Sequence, residues 1–320
     1  MDVLKVLYFI VQQMMFYLIP LLVVALGAMF SERSGVVNIA LEGIMIIGAF
    51  SGVLFLYFVQ GTIPGQPVLL MAMVISAATG IVISLAHAYA AIHMKADQII
   101  SGTAINMFAP ALAIYIARAV RTVQQIPFKN QFHIKSVPLL GDIPFIGDLF
   151  FKNTYITTFL GILILIVSWI VISKTRFGLR LKACGEHPQA ADAAGISVYK
   201  MRYFGVMISG ALAGIGGLVF IIPTAVESNA SVDGFGFLAL AVLIFGQWKP
   251  GRILFAAFFF GLMKAISAAY SGISFLVSIG ISGYIYKMIP YIVTLLVLAL
   301  MSKRSMAPRA EGIPYDKGSR

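Results

Sequence analysis

The sequence predicts an all-α fold, a polytopic membrane bundle of helices. Two observations point to it: 60% of the 320 residues are hydrophobic and only 11% are charged, and the mean hydropathy is +0.95. A soluble domain carries about a quarter charged residues. A soluble core of this size could not enclose so much apolar surface. The composition therefore excludes a soluble globular enzyme, a disordered chain and a disulfide-stapled secreted domain.

Each predicted element is an apolar run, because a helix needs about 20 such residues to cross a bilayer. Eight runs contain no acidic residue and at most one basic residue. They are 6–30, 68–92, 99–117, 154–173, 203–223, 235–248, 253–270 and 275–301. The last two contain Lys264 and Lys287, which we expect to snorkel or to pair near a surface.

The run 36–59 differs from the others because it holds Asn38, Glu42 and three glycines within apolar sequence. An ionised carboxylate is costly in hydrocarbon, so Glu42 should face protein or a watery cavity. The glycines permit a broken helix near 36–59, which then counts as two half-passes and gives about ten membrane elements. Two roles stay open for Glu42: it holds the broken segment beside a pathway, or it pairs with Arg33 or a helix N-terminus as a structural group.

The basic residues predict the orientation, because Lys and Arg are retained on the cytoplasmic side. Residues 174–202 hold six of them and the tail from residue 303 holds five. The net charge of +11 is thus read as a topology signal rather than as a nucleic-acid surface. With two half-passes at 36–59, both termini are expected to be cytoplasmic. The loop 120–152 is then external despite four basic residues, and the sequence does not indicate its role.

The sequence lacks the common motifs for nucleotide binding, metal binding and cysteine pairing. It has no G-x-x-x-x-G-K-[ST] loop for ATP phosphates, no H-E-x-x-H motif and no pair of cysteines. We therefore predict no catalytic residue, no metal site and no cofactor bound by this chain. The one cysteine, Cys184, is interpreted as a small packed residue. Ser209, Ala213 and Gly217, with Gly210 and Gly214, follow the four-residue spacing of small residues that favours close helix packing.

The loop 174–202 contains a short predicted helix between Pro188 and Gly195. Proline suits the first helical position and glycine suits the position after the C-cap. The helix is almost entirely alanine, so it exposes little side chain and could fit a groove on another protein. The alternative is an ordinary cytoplasmic turn whose basic residues only set the topology.

Several motifs resemble those of a known transporter family. They are FGLR at 177–180, ACGEHP at 183–188 and SGALAG at 209–214. They resemble the cytoplasmic loop of the branched-chain amino acid and monosaccharide permeases of ABC importers. The run SERSGVVNIALEG at 31–43 resembles the nucleoside and simple-sugar permease subfamily. The resemblance extends over most of the chain, from about residue 23 to about residue 299.

The resemblance implies a permease domain over 1–302 with a coupling loop at 174–202, and a basic cytoplasmic tail over 303–320. The permease would be embedded in the lipid of the cell membrane, without its own ATPase. A cytoplasmic ABC ATPase carrying ATP and Mg²⁺ would dock on the loop, and a substrate-binding lipoprotein would deliver cargo outside. A second permease subunit, identical or different, would complete the channel. No nucleic acid partner is expected.

The expected cargo is a nucleoside. Simple sugars and branched-chain amino acids are the alternatives, and an ion-coupled secondary transporter with Glu42 as its ion site is a further one. The residues predicted to line the substrate pathway are Asn38, Glu42, Phe50, Phe235 and Phe237. Those predicted for ATPase coupling are Gly178, Arg180, Gly185, Glu186, Pro188, Ala191 and Gly195.

Overall fold

The computed structural model describes residues 3–63, 65–272, 282–301 and 306–318. Eleven α-helices lie in these ranges. They are α1 (Val3–Arg33), α2 (Leu41–Val59), α3 (Gln66–Ile92), α4 (Gln98–Arg121), α5 (Ile156–Lys174), α6 (Arg176–Glu186), α7 (Pro188–Ala193), α8 (Val198–Thr224), α9 (Phe235–Phe245), α10 (Pro250–Ala269) and α11 (Gly283–Met301). Among the described helices, seven are long and apolar enough to cross a membrane, and α9 is a shorter apolar helix. The all-α bundle predicted from composition is confirmed.

Local sequence explains where several helices begin. The Asp97 carboxylate accepts hydrogen bonds from the N–H groups of Ile99 and Ile100 at the start of α4. Thr175 accepts from Gly178 at the start of α6, and Ser197 caps α8 in the same way. Side chains of this kind replace the partners that the first turn of a helix lacks.

Four short strands lie at one end of the bundle. They are β1 (Ile126–Pro127), β2 (His133–Ser136), β3 (Lys152–Tyr155) and β4 (Glu227–Ser228). β1 pairs with β4 and β2 pairs with β3, both antiparallel. We call this the hairpin end, and the end formed by residues 174–202 the α7 end. The predicted loop 120–152 lies at the hairpin end.

The two ends of α1 lie at opposite ends of the bundle. Gln12 Nε2 donates to the Asp148 carbonyl at 2.7 Å near the hairpin end, whereas Arg33 lies 3.5 Å from Glu186 at the α7 end. Residues 306–318 also lie at the α7 end, where the Ala310 N–H donates to the Gly185 carbonyl. Because α1 crosses the bundle once, its start and residues 306–318 lie at opposite ends. The expectation that both termini are cytoplasmic does not agree with this arrangement.

The predicted helix break also needs a correction. α2 is continuous from Leu41 to Val59, and the break lies before it, at residues 34–40. The glycines of α2 do not interrupt it but allow other backbones to approach, and a Cβ at Gly48 would collide with the backbone of Gly214 on α8. Of the predicted run 275–301, residues 275–281 lie outside the described residues, and 283–301 are helical.

The centre of the bundle is α8, packed against α1, α2 and α3. Its small residues are buried where these helices meet, so the close packing predicted from their spacing is confirmed. A Cβ at Gly210 would collide with Ser84 and with the Gly80 carbonyl of α3. Small residues permit such contact because neighbouring helix backbones can then touch. Cys184 is a free, buried thiol, as predicted, and burial raises its pKa to about 11.

Gly214→Leu should destabilise the fold, because even the Cβ would collide with the Ser76 carbonyl of α3. We expect destabilisation by about 3 kcal/mol, as for severe overpacking. Fluorescence-detected size exclusion and the thermal midpoint of the purified protein measure it. Gly251→Leu is the control, because nothing lies within 4 Å of a Cβ there. Equal folding of both variants would contradict the close-packing interpretation.

Candidate functional site

Residues 34–40 form a non-helical segment that is buried between α3, α4 and α8, and we call it the re-entrant segment. The Val37 N–H donates to Gln98 Oε1 at 2.7 Å, and the Val37 carbonyl lies 2.9 Å from His87 Nε2. Asn106 donates to the Ile39 carbonyl at 2.8 Å. Irregular backbone at membrane depth persists only where protein or a cavity satisfies it, and here polar side chains do so.

Glu42, in the first turn of α2, holds the start of α9. Its Oε1 accepts from the Gly234 N–H at 2.9 Å and its Oε2 accepts from the Gly236 N–H at 2.6 Å. A carboxylate is favourable at a helix N-terminus because of the unpaired N–H groups and the helix dipole. Of the partners considered for Glu42, the structure shows the helix N-terminus and not Arg33. A Cβ at Gly236 would collide with the Glu42 backbone, so glycine is required there.

A cavity of about 510 Å³ lies beside the start of α9, towards the hairpin end. Its lining residues come from α1, α8, α9, α10, α11 and the loop between α8 and α9. They are Tyr17, Phe220, Ile221, Thr224, Ala225, Asn229, Ser231, Asp233, Phe235, Lys264, Ser267, Ala268, Lys287 and Tyr291. The volume lies within the range of about 300–1,000 Å³ that is typical of small-molecule sites.

The cavity combines aromatic walls with charged and polar groups. Phe235 and Phe220 pack with ring centroids 4.2 Å apart. The Lys264 ammonium lies 5.1 Å from the Phe235 centroid and 4.9 Å from that of Tyr291. It also donates to the Tyr291 hydroxyl at 3.2 Å. Lys264 therefore presents its charge at an aromatic surface, in a cavity that Asp233 also lines.

The structure brings only part of the predicted pathway set to this cavity. Phe235 lines the cavity. Glu42 does not line it but accepts a hydrogen bond from Gly236 in the first turn of α9. Asn38 is fully buried in the re-entrant segment, where it donates to Ser209 at 2.9 Å. Phe50 is buried in the core, and Phe237 is 51% exposed. Their transport roles remain predictions.

Sequence reasoning missed most of the cavity. Tyr17, Asp233, Lys264 and Tyr291 are far apart in the chain and meet only when four elements pack together. Lys264 and Lys287 were expected to snorkel or to pair near a surface, and both line this cavity. The only sequence signal was a lysine inside each of two apolar runs, since an ionisable residue within a membrane helix points to function.

At the α7 end, the predicted short helix exists as α7. Pro188 is its first residue, and Gly195 follows the C-cap with φ of +79°. The Ile196 N–H donates to the Ala191 carbonyl and the Gly195 N–H to the Asp192 carbonyl, which is a Schellman termination.

The residues predicted for ATPase coupling include both exposed and buried positions. Arg180 and Gly195 are exposed and Glu186 is half-buried, whereas Gly178, Gly185, Pro188 and Ala191 are buried. Ala191 is only 4% exposed, so its methyl group packs against its own chain. The exposed face of α7 is formed by Gln189, Ala190 and Ala193, which sequence reasoning did not single out.

Comparison with known proteins shows what this chain resembles. Residues 10–298 match the family described as the permease component of the branched-chain amino acid transport system. The chain is 45% identical over 323 residues to the guanosine ABC transporter permease protein NupQ of Bacillus subtilis, and the alignment covers all of both chains. It is 41% identical over 320 residues to the nucleoside ABC transporter permease protein NupC of Lactococcus lactis, covering 99% of each. A putative glucose ABC transporter permease of Haloferax volcanii is 30% identical over 79% of this chain and 75% of its own length.

Glu42→Ala should destabilise the protein, because two N–H groups at the start of α9 would lose a charged partner. We expect a loss of about 3 kcal/mol, and a smaller loss for Glu42→Gln, which keeps one acceptor oxygen. The thermal midpoint of the purified protein measures both. The control is Glu227→Ala in β4, a carboxylate that caps none of the described helices. An unchanged midpoint for Glu42→Ala would contradict the capping role.

Proposed function

Because the chain belongs to the family of permease components of branched-chain amino acid transport systems, we propose that it is the membrane-spanning subunit of an ABC importer for nucleosides. Two similar proteins aligned over essentially their full length are a guanosine permease and a nucleoside permease. Seven of the described helices have spanning length, which supports a location in the cell membrane as a multi-pass protein.

The observation that carries the cargo assignment is the cavity beside α9. A nucleoside joins an aromatic base to a sugar with several hydroxyls. The cavity offers the aromatic rings of Tyr17 and Tyr291 for the base. Asn229, Ser231 and Asp233 supply the hydrogen-bonding groups that a sugar needs. Lys264 adds a donor for a carbonyl oxygen or ring nitrogen of the base.

The energy for transport comes from a separate subunit in this proposal. A cytoplasmic ABC ATPase, which holds ATP and Mg²⁺, docks on the exposed face of α7. The basic residues of 174–202 support a cytoplasmic α7 end. The hairpin end and the start of α1 are then external, where a binding lipoprotein delivers the nucleoside. A second permease subunit, of the same or a different kind, completes the channel.

The alternatives differ in cargo or in energy source. The Haloferax volcanii relative is described as a putative glucose permease, so a sugar remains the second candidate. An ion-coupled transporter would use Glu42 as its ion site. However, both oxygens of that carboxylate are bonded to the start of α9, which favours a structural role.

The cavity assignment predicts that Lys264→Met lowers guanosine uptake about tenfold, which corresponds to about 1.4 kcal/mol. The reason is the loss of a charged donor between two aromatic rings. Radiolabelled guanosine and glucose are compared in cells that lack the native gene and carry the variant. Lys152→Met, which removes an ion pair with Asp148 at the hairpin end, should leave uptake unchanged. Loss of glucose uptake instead of guanosine uptake would contradict the nucleoside proposal.

The docking assignment predicts that Ala190→Trp uncouples ATP hydrolysis from uptake, because an indole would block the groove that receives α7. We expect cargo uptake to fall more than about tenfold, while the permease stays in the membrane. Measurements use proteoliposomes with the ATPase and the binding lipoprotein. Ile166→Trp, at an exposed position on α5, is the matched control. Normal coupling in the Ala190→Trp variant would refute docking at α7.

A further inference from the structure

The loop 120–152, whose role the sequence did not indicate, contains a short tandem repeat. Residues 137–142 read VPLLGD and residues 143–148 read IPFIGD. Each repeat begins with a β-branched residue and proline, continues with two large apolar residues, and ends with a Gly-Asp pair. We call residues 137–148 the paired turns, and the third and fourth residues of each repeat its tip.

The two repeats fold in the same way. In each repeat the glycine N–H donates to the carbonyl of the first residue at 2.8 Å, which closes a tight turn. The third residue of each repeat, Leu139 or Phe145, has φ of +66°, a conformation that is uncommon for a bulky residue. A Cβ at Gly147 would collide with the Gly141 carbonyl, so the two turns pack directly against each other. The same residue pattern therefore builds the same backbone twice, side by side.

Both tips are apolar and exposed. Leu139 and Leu140 are 86% and 42% exposed, and Phe145 and Ile146 are 49% and 50% exposed. Single exposed apolar residues are ordinary on a protein surface, but a contiguous group of large ones marks a partner or a membrane. The paired turns are thus a binding surface, and their surroundings identify what covers it.

The paired turns lie against two helices of membrane-spanning length, α1 and α5. Tyr8 of α1 packs edge-on against Phe145 with ring centroids 6.0 Å apart. Phe151, just after the turns, stacks on Phe159 in the first turns of α5, also at 6.0 Å. Every exposed residue of α5 between positions 156 and 172 is large and apolar, as a surface in lipid requires. The apolar tips therefore adjoin the lipid-facing surface of the bundle.

The backbone of the paired turns is suited to lipid. The second residue of each repeat is proline, which has no N–H to satisfy. The N–H groups of the fourth and fifth residues of each repeat bond to carbonyls of the same repeat. Backbone that enters lipid must satisfy its polar groups internally, whereas a loop that docks on a protein can leave them to water or to its partner. The internal bonding favours lipid as the occupant.

The charged residues indicate the depth of the paired turns. Asp148 pairs with Lys152 at 2.7 Å, whereas Asp142 is exposed. An exposed carboxylate is costly in hydrocarbon, so Asp142 must stay at the level of the headgroups. The loop leaves α4 after Arg121 and enters α5 at Ile156, so both of its ends lie where spanning helices reach the membrane surface. The turns are therefore at the interface and not in the bilayer centre.

We propose that the paired turns are a lipid-binding anchor, which inserts the apolar tips of both repeats between phospholipids at the hairpin end. The inserted side chains reach the boundary between headgroups and acyl chains, about 5–10 Å deep. The anchor holds the loop 120–152 on the membrane surface, beside the starts of α1 and α5. This role depends on those helices crossing the membrane, and not on the cargo.

The test places an environment-sensitive NBD fluorophore on one cysteine at a time. The background is Cys184→Ala, which removes the single native cysteine. Leu139→Cys reports on a tip. Gln131→Cys, exposed in the same loop, is the water control, and Ile166→Cys, exposed on α5, is the lipid control. The full-length protein is placed in nanodiscs of phosphatidylcholine and phosphatidylglycerol, whose two faces are both open to the buffer.

Two kinds of quencher measure the depth of the fluorophore. Iodide quenches from water, and phosphatidylcholines with a nitroxide near the headgroup or deep in the acyl chain quench from the bilayer. We expect the shallow nitroxide to quench the Leu139 fluorophore most strongly and the deep nitroxide to quench the Ile166 fluorophore most strongly. Iodide should quench at Leu139 at least about threefold less than at Gln131, because an interfacial side chain is shielded from water.

A change at both tips tests whether the apolar side chains cause the insertion. Leu140→Asp combined with Ile146→Asp should raise iodide quenching at Leu139 to about the level at Gln131, because two carboxylates oppose entry into lipid. Leu140→Ile combined with Ile146→Leu is the matched control and should keep the quenching low. Both positions are exposed, and size exclusion of each purified variant confirms that the fold is kept.

Three results would overturn the proposal. Equal iodide quenching at Leu139 and Gln131 would place the tips in water. Protection from iodide without quenching by either nitroxide would mean that protein, such as a second permease subunit, covers them. Unchanged quenching in the double aspartate variant would show that the apolar tips do not cause the insertion. Since the measurement needs no cargo and no ATP, it succeeds or fails independently of the nucleoside proposal.

Discussion

The structure depends on satisfying the backbone of the re-entrant segment at membrane depth. An unpaired N–H or C=O group costs several kcal/mol in hydrocarbon. Gln98, His87 and Asn106 bond the backbone of residues 37–43, and each comes from α3 or α4. Glu42 does the same for the first N–H groups of α9. These side chains fix where α2 and α9 begin, and hence where the cavity forms.

The re-entrant segment connects the two functional regions of the molecule. Its first residues lie against Gly185 of α6, and the chain that follows it reaches Glu42, which holds α9. Phe235, the first residue of α9, lines the cavity. A movement of α6 and α7 can therefore reach the cavity through a short run of covalently linked, hydrogen-bonded residues. Under the proposed function, this contact chain rather than a separate gate would couple the ATPase to the cavity.

Features that depend on composition or on local sequence were predicted correctly. Contacts between residues that are distant in the chain were not predicted. Hydropathy predicted the spanning runs, and Pro188 with Gly195 predicted the limits of α7. The glycines of α2 suggested a break but serve close packing, because sequence alone does not show which backbone approaches them. The burial of Ala191 and the contact between Lys264 and Phe235 depend on tertiary packing, which local sequence does not specify. The two termini were expected on the same side because the break was counted as an extra half-pass, whereas the start of α1 and residues 306–318 lie at opposite ends of the bundle.

Hydrogen–deuterium exchange of the reconstituted permease most directly tests whether the re-entrant segment is held as described. The arrangement predicts that the amides of Val37 and Gly43, bonded to Gln98 and Asn106, exchange at least about a thousandfold more slowly than free amides. Asn106→Ala should release the Gly43 amide and leave the Val37 amide protected. Rapid exchange of both amides in the native protein would contradict a side-chain-bonded segment at membrane depth.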